Sequence, residues 1–147
     1  MPRSLVVATC RLLIGAILLA SALGKSLDLA GFVDVLITYR TIPGSLLWPV
    51  ALAVTGLEWL LGCWVLSGWR LATGSLAVLV LYLIYAVWMT VALARGLDLP
   101  NCGCYGVFFP QPLRWYSPVE DVVVAGLCYA LWKSSRWRSS GPIDTPH

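Results

Sequence analysis

Residues 71–94 read LATGSLAVLVLYLIYAVWMTVALA, without one Asp, Glu, Lys, Arg or His from end to end. A helix needs about 20 apolar residues to cross a hydrocarbon core. In lipid, each backbone N–H and C=O must also be satisfied within the segment, which favours a helix. The stretch therefore predicts a transmembrane helix. Working back from it, the linker SGWR (67–70) is so short that the preceding apolar run, Ser45–Leu66, must fold beside it as an antiparallel hairpin. That run carries one charge, Glu58, and a third run, Leu5–Leu23, carries only Arg11.

Working forward, Val122–Trp132 is too short to span alone. It follows Ser117-Pro118-Val119-Glu120, which has the form of a capping box with Pro at the first helical position. A helix from Pro118 to about Ser134 is roughly 25 Å long at ~1.5 Å per residue. It spans if Glu120 and Asp121 sit at the interface, where they favour the positive helix N-terminus. The expected fold is all-α: an integral membrane four-helix bundle in one domain, residues 1–135, with helices near 4–24, 45–67, 71–94 and 118–134. A polar tail, 136–147, follows.

Composition agrees. Of 147 residues 59% are hydrophobic and 12% charged, whereas soluble domains average about 25% charged. The formal charge of +3 is scattered and excludes the basic face that nucleic-acid binding needs. Eight Trp and six Tyr suit aromatic belts at two interfaces. Ala20-Ser21-Ala22 has the form of a signal-cleavage site, but Arg11 interrupts the run before it, which reads as an anchor helix. Gly15, Ala16, Ala20, Ala22 and Gly24 would let another helix approach closely.

Between the first two spans, Leu29, Phe32, Val33, Leu36 and Ile37 repeat as one helical face. Asp28 is placed to cap this piece and Pro43-Gly44 to end it. It reads either as an interfacial amphipathic helix or as packing over the bundle's end. With four spans, one side holds both termini, Arg3, Arg70, Lys133, Arg136 and Arg138; the other holds Lys25, Arg40, Arg95 and Arg114. The excess sets the termini in the cytoplasm. The expected location is a bacterial inner membrane, with the 95–116 loop facing the periplasm, where disulfides persist.

That loop contains LPNCGCYG, residues 99–106. Cys102 and Cys104, with Gly103 giving the backbone freedom between them, form the catalytic candidate. Lys25, Arg95 and Arg114 lie toward the same face, and cations favour the reactive thiolate. Three readings stay open: a redox-active pair, a structural clasp, or half of a metal site. His147 in the tail is the only histidine, and no metal is expected. Cys10, Cys63 and Cys128 read as small core side chains. Arg11 and Glu58 have matching depths, and intramembrane charges are normally paired. An Arg11–Glu58 pair is expected, either locking two helices or lining a pocket for a quinone or similar small ligand.

Taken together, CRLLIGAILLASALGKSLD, GLEWLLGCWVLSGW and CGCYG resemble the MauE family, within the wider DoxX-like membrane proteins. The family pattern falls on Arg11, Gly15, Gly24, Lys25, Glu58, Cys102, Cys104, Tyr105 and Gly106. The resemblance implies a four-helix inner-membrane protein of methylamine utilisation, supporting disulfide formation in, or maturation of, a periplasmic partner. The partner would be a thioredoxin-like or cysteine-rich protein, met by Cys102 and Cys104 with Lys25 or Arg114 assisting. The DsbB and vitamin K epoxide reductase systems share four helices and outward thiols, but use C-x-x-C where this chain has C-x-C. The rival expectation is a non-catalytic accessory subunit of a larger membrane complex, with Trp48, Trp64, Trp69, Trp88 and Trp115 as contact surface.

Overall fold

The computed structural model describes residues 3–139, with side chains from Ser4 to Arg136. It contains five helices: α1 (Arg3–Leu27), α2 (Leu29–Thr38), α3 (Leu47–Ser67), α4 (Leu71–Ala94) and α5 (Ser117–Ser139), with a short 3-10 turn at Gly44–Leu46. No strand occurs among the described residues. The protein is an all-helical bundle in which α1 packs on α3, α4 on α5, and α5 also on α1.

α1, α3 and α4 are each long and apolar enough to cross a membrane. Only 28–33% of their most apolar windows is buried inside the bundle. Leu12, Leu13, Leu52, Leu60, Ile84 and Val87 all face outward, a surface suited to lipid rather than water. α5, also 23 residues long, carries charge at both ends. Ile14 and Leu18 of α1, Leu61 and Val65 of α3, Val78 and Leu81 of α4, and Ala125, Cys128 and Leu131 of α5 form the main core. Gly15 admits Leu66 so closely that a Cβ there would collide with it. Ala16 and Ala20 point away from the bundle instead.

Several boundaries differ from those expected. α1 continues three residues beyond Gly24, which puts Lys25 inside the helix. α5 begins at Ser117 rather than Pro118, and the capping box does not form. Ser117 is already helical, its Oγ accepts from the Arg114 N–H at 3.1 Å, and the Glu120 N–H donates to the Tyr116 carbonyl. α5 also continues past 134, so residues 136–139 of the expected tail are helical. Basic residues suit the negative C-terminal end of a helix, and the Arg136 guanidinium stacks over the Trp132 ring one turn back. Residues 140–147, including His147, lie outside the described residues.

α2 forms as its face predicts, with Asp28 Oδ1 accepting from the Gly31 N–H at 2.8 Å. Phe32, Val33 and Leu36 cover Leu47 and Ala51 at the start of α3, which is the packing alternative; Ile37 is left exposed. Cys128 is buried and Cys10 half-buried in the core, but Cys63 is exposed, contrary to expectation. In an apolar helix bathed by lipid, a small apolar side chain need not face inward.

Candidate functional site

The 95–116 loop folds back over the end of α1 that carries Lys25. Its path is set by glycines. Gly103 and Gly106 have φ of +79° and +73°, a left-handed conformation that glycine adopts without steric cost. Gly106 also lies backbone to backbone against Gly24 of α1, so that a Cβ on either would strike the other chain segment. Asn101 ties the turn internally, accepting from the Gly103 N–H at 2.9 Å and donating to the Gly106 carbonyl at 3.0 Å. The ends are joined by Cys102 N–H to Gln111 and Leu113 N–H to Leu99, at 2.7 and 2.9 Å.

Cys102 and Cys104 are joined as a disulfide. Cys102 is buried and Cys104 half-buried. Both cysteine carbonyls are held from beneath. Tyr39 Oη, just past α2, donates to the Cys102 carbonyl at 2.8 Å. The Cys104 carbonyl accepts from Lys25 Nζ at 3.0 Å and from Ser21 Oγ at 2.6 Å. Gly103 packs on Phe32 and Val35 of α2, and Phe32 in turn lies 5.4 Å below the Lys25 ammonium.

Lys25 is the centre of this arrangement. Only 3% exposed, it forms an ion pair with Glu58, itself 1% exposed, at 2.8 Å. Its ammonium also donates to Ser21 Oγ at 2.6 Å. Glu58 accepts on Oε1 from Lys25 and Tyr85 Oη, at 2.8 and 2.9 Å, and on Oε2 from Lys25 and Ser21, at 2.8 and 3.0 Å. Ser21 has a single hydroxyl proton, so it serves Glu58 or the Cys104 carbonyl, one at a time. A buried pair survives desolvation only when its remaining donors and acceptors are filled; here Ser21, Tyr85 and the loop carbonyl fill them.

Glu58 therefore pairs with Lys25, and the expected Arg11–Glu58 pair is absent. The reason is side-chain direction. A helical side chain leans toward its own helix N-terminus. Lys25 thus reaches inward from the end of α1, and Glu58, on the antiparallel α3, reaches toward the loop. Arg11 leans the other way and packs over Gly68, at the α3–α4 turn. Lys25 to Glu58 is the only ion pair among the described residues.

Neither Arg95 nor Arg114 hydrogen-bonds a cysteine carbonyl among the described residues. Arg114 is exposed, and its guanidinium makes no hydrogen bond among the described residues. Arg95 instead binds the Tyr39 carbonyl and Thr41 Oγ1, at 3.0 and 2.8 Å, and closes the α2–α3 connection against α4.

Sequence reasoning missed Ser21, Tyr39, Tyr85 and Asp121. Ser21 was legible: it precedes Lys25 by one helical turn. Asp121 is buried near the start of α5, with Oδ2 lacking a hydrogen-bond partner among the described residues. Burial, and then the Asp121 charge, push the Tyr39 phenol up to about 12. Burial foremost, then Glu120, Asp121 and Glu58, raise the Tyr105 phenol as well. Both phenols stay protonated and available as donors.

No solved structure matches this chain. The methylamine utilization protein MauE of Paracoccus denitrificans is 23% identical over 121 residues, covering 82% of this chain and 65% of that protein. The chain thus spans just under two thirds of that relative's length. The family model for methylamine utilisation protein MauE matches residues 3–134, a span that takes in Lys25, Glu58 and the whole disulfide loop. On that match the chain belongs to the MauE family.

Proposed function

We propose that this chain is a membrane-embedded maturation factor of methylamine utilisation that exchanges disulfides with a periplasmic thiol protein through Cys102 and Cys104. The supporting observation is the disulfide loop held by both cysteine carbonyls, that of Cys104 on the buried ion pair and that of Cys102 on Tyr39. That anchorage fixes the backbone of both cysteines while the Cys104 side remains partly open. A partner thiolate attacks one sulfur of the pair, forms a mixed disulfide and releases the other sulfur as thiolate. A second partner thiol then resolves it, leaving the partner oxidised and Cys102 and Cys104 as two thiols. Regenerating the pair needs a two-electron acceptor, for which a membrane quinone is the proposed class.

We place the loop on the periplasmic side of a bacterial inner membrane, with four spans and both termini in the cytoplasm. Because Lys25 is neutralised by Glu58, the loop side retains Arg40, Arg95 and Arg114 against five cations on the other, which supports that orientation. Replacing both cysteines by Ser should abolish disulfide formation in the partner while the protein remains inserted and folded. Partner oxidation at an unchanged rate would sink the proposal.

A second reading is a non-catalytic accessory subunit. It is favoured by the aromatic rim of the same loop, where Phe109 is 72% and Trp115 77% exposed. Alkylation of the intact protein separates the two. A pair that labels after mild reductant supports exchange; one that labels only after denaturation supports the clasp.

A further inference from the structure

The bundle's other end holds a cavity of about 550 Å3, between the start of α1, the α3–α4 turn and the last turns of α5. Its polar lining comprises Ser4, Arg11, Arg70, Thr73 and Ser135. Small-molecule sites typically fall between ~300 and ~1,000 Å3.

Arg11 is the key residue. It lies about 12 Å along α1 from Arg3, at ~1.5 Å per residue, and its side chain leans back to the α3–α4 turn. Its Nε is fully buried and has no hydrogen-bond partner among the described residues. No ion pair or hydrogen bond reaches its guanidinium there. An intramembrane arginine is costly and normally paired, so the Arg11 guanidinium calls for an anion.

Three further observations give that anion its sign and place. Arg70 lines the same cavity with its guanidinium stacked on Trp69, 5.6 Å from the ring centroid. α4 starts at the cavity wall with no side-chain cap and no acid in its first turn. The Thr73 N–H is taken by the Arg70 carbonyl, but those of Leu71 and Ala72 have no partner among the described residues, and the positive dipole end is uncompensated. No acid is near. Asp28, Asp34, Asp98, Glu120 and Asp121 belong to the loop end by topology and Glu58 points toward it, while Asp144 lies outside the described residues.

We propose that this cavity binds a phosphate group, held by the Arg11 and Arg70 guanidinium forks and the first N–H groups of α4. Guanidinium matches phosphate oxygens in pairs, and helix N-termini accept them readily. The phosphate comes either from an anionic phospholipid headgroup, at the depth to which an arginine snorkels, or from a soluble phosphate ester. The site is separate from the disulfide loop and does not depend on thiol exchange.

The test uses the whole protein, lipid-depleted in a neutral detergent. Melting temperature and tryptophan emission, to which Trp69 contributes, are followed during titration with inorganic phosphate and, separately, with dihexanoylphosphatidylglycerol. Sodium chloride at matched ionic strength and dihexanoylglycerol are the controls. The expected result is saturable stabilisation by at least one phosphate probe and by neither control. Arg11→Gln should weaken that response at least about tenfold, as for loss of a charge-assisted contact. Arg11→Lys should restore only part of it, because the fork is lost.

A response to the lipid alone assigns the membrane headgroup; a response to inorganic phosphate as well assigns soluble phosphate esters. Absence of saturation above the controls, or an unchanged response in the variants, overturns the proposal. If Arg11→Gln fails to fold, Arg70→Ala decides it: Arg70 is exposed, and its removal should weaken binding by about threefold.

Discussion

At the loop end, Lys25 and Glu58 meet each other, Ser21, Tyr85 and the Cys104 carbonyl, all within 3.0 Å. At the opposite end, Arg11 has a fully buried Nε with no partner among the described residues. Both charges sit on the same helix, Lys25 buried and Arg11 half-buried. One is neutralised within the chain, and is therefore part of the fold; the other is left open, and is therefore available to a ligand. The difference shows how a small bundle can use a buried cation in two ways, according to whether an acid from a neighbouring helix reaches it.

The hardest way to break this comparison is to remove one partner of the closed pair. Glu58→Leu strands the Lys25 ammonium and should cost about 3–5 kcal/mol, read as a lower midpoint of detergent unfolding. The double variant Lys25→Met, Glu58→Leu should recover most of that, since a buried pair is often replaceable by apolar packing. A double variant as unstable as Glu58→Leu alone would show that the loop carbonyl, rather than the stranded charge, dominates the cost.

Next comes Gly24→Ala, which pushes a Cβ into the Tyr105 carbonyl of the loop. Overpacking of this kind costs about 1–3 kcal/mol, and it should also speed alkylation of Cys102 and Cys104 after reduction. Smaller again is Tyr39→Phe, which leaves the Cys102 carbonyl without its donor and should cost about 1 kcal/mol. It also carries a pH signature. The Tyr39 phenol titrates at about 12 in the fold against 10.0 ordinarily. The neutral form is thus favoured by folding, and its contribution is intact below the ordinary value and lost as pH rises through the folded one. Wild-type protein should lose stability relative to Tyr39→Phe across that window; parallel curves would refute it.

The smallest effect belongs to the open end. In lipid-depleted detergent Arg11→Gln should shift stability by no more than about 0.5 kcal/mol, because no hydrogen bond or ion pair among the described residues is lost. A shift as large as that of Glu58→Leu would mean that Arg11 has a structural partner after all.

The helices were legible because charge-free runs of spanning length leave a chain few alternatives, and the hairpin was legible because SGWR is too short for anything else. The Cys-Gly-Cys loop stood out by its spacing and by its glycines. The ion pair was misread because depth was counted along the helix axis, whereas a side chain leans most of a turn away from its own Cα. Lys25, placed by position among the loop-side cations, reaches back into the bundle for the same reason. Tyr39, Tyr85 and Asp121 carried no local signal: each matters through a residue on another element, 27 to 63 positions away in the case of the two tyrosines. Ser117 was expected to cap α5 and is instead held by the turn before it, a competition that local pattern cannot rank.

The apposition of Gly24 with Gly106 has a consequence for how the protein is made. Chains emerge and fold from the N-terminus, so Ser21, Lys25, Glu58 and Tyr85 are all present before Cys104 leaves the ribosome. The ion pair can close first, across α1, α3 and α4, with Ser21 and both Glu58 oxygens around the ammonium. The disulfide loop arrives after them, ahead of α5, and it docks onto a charge already in place and onto a glycine already laid down. Loop anchoring is thereby a late step of biogenesis, and the bare α1–α3–α4 unit is the template that receives it.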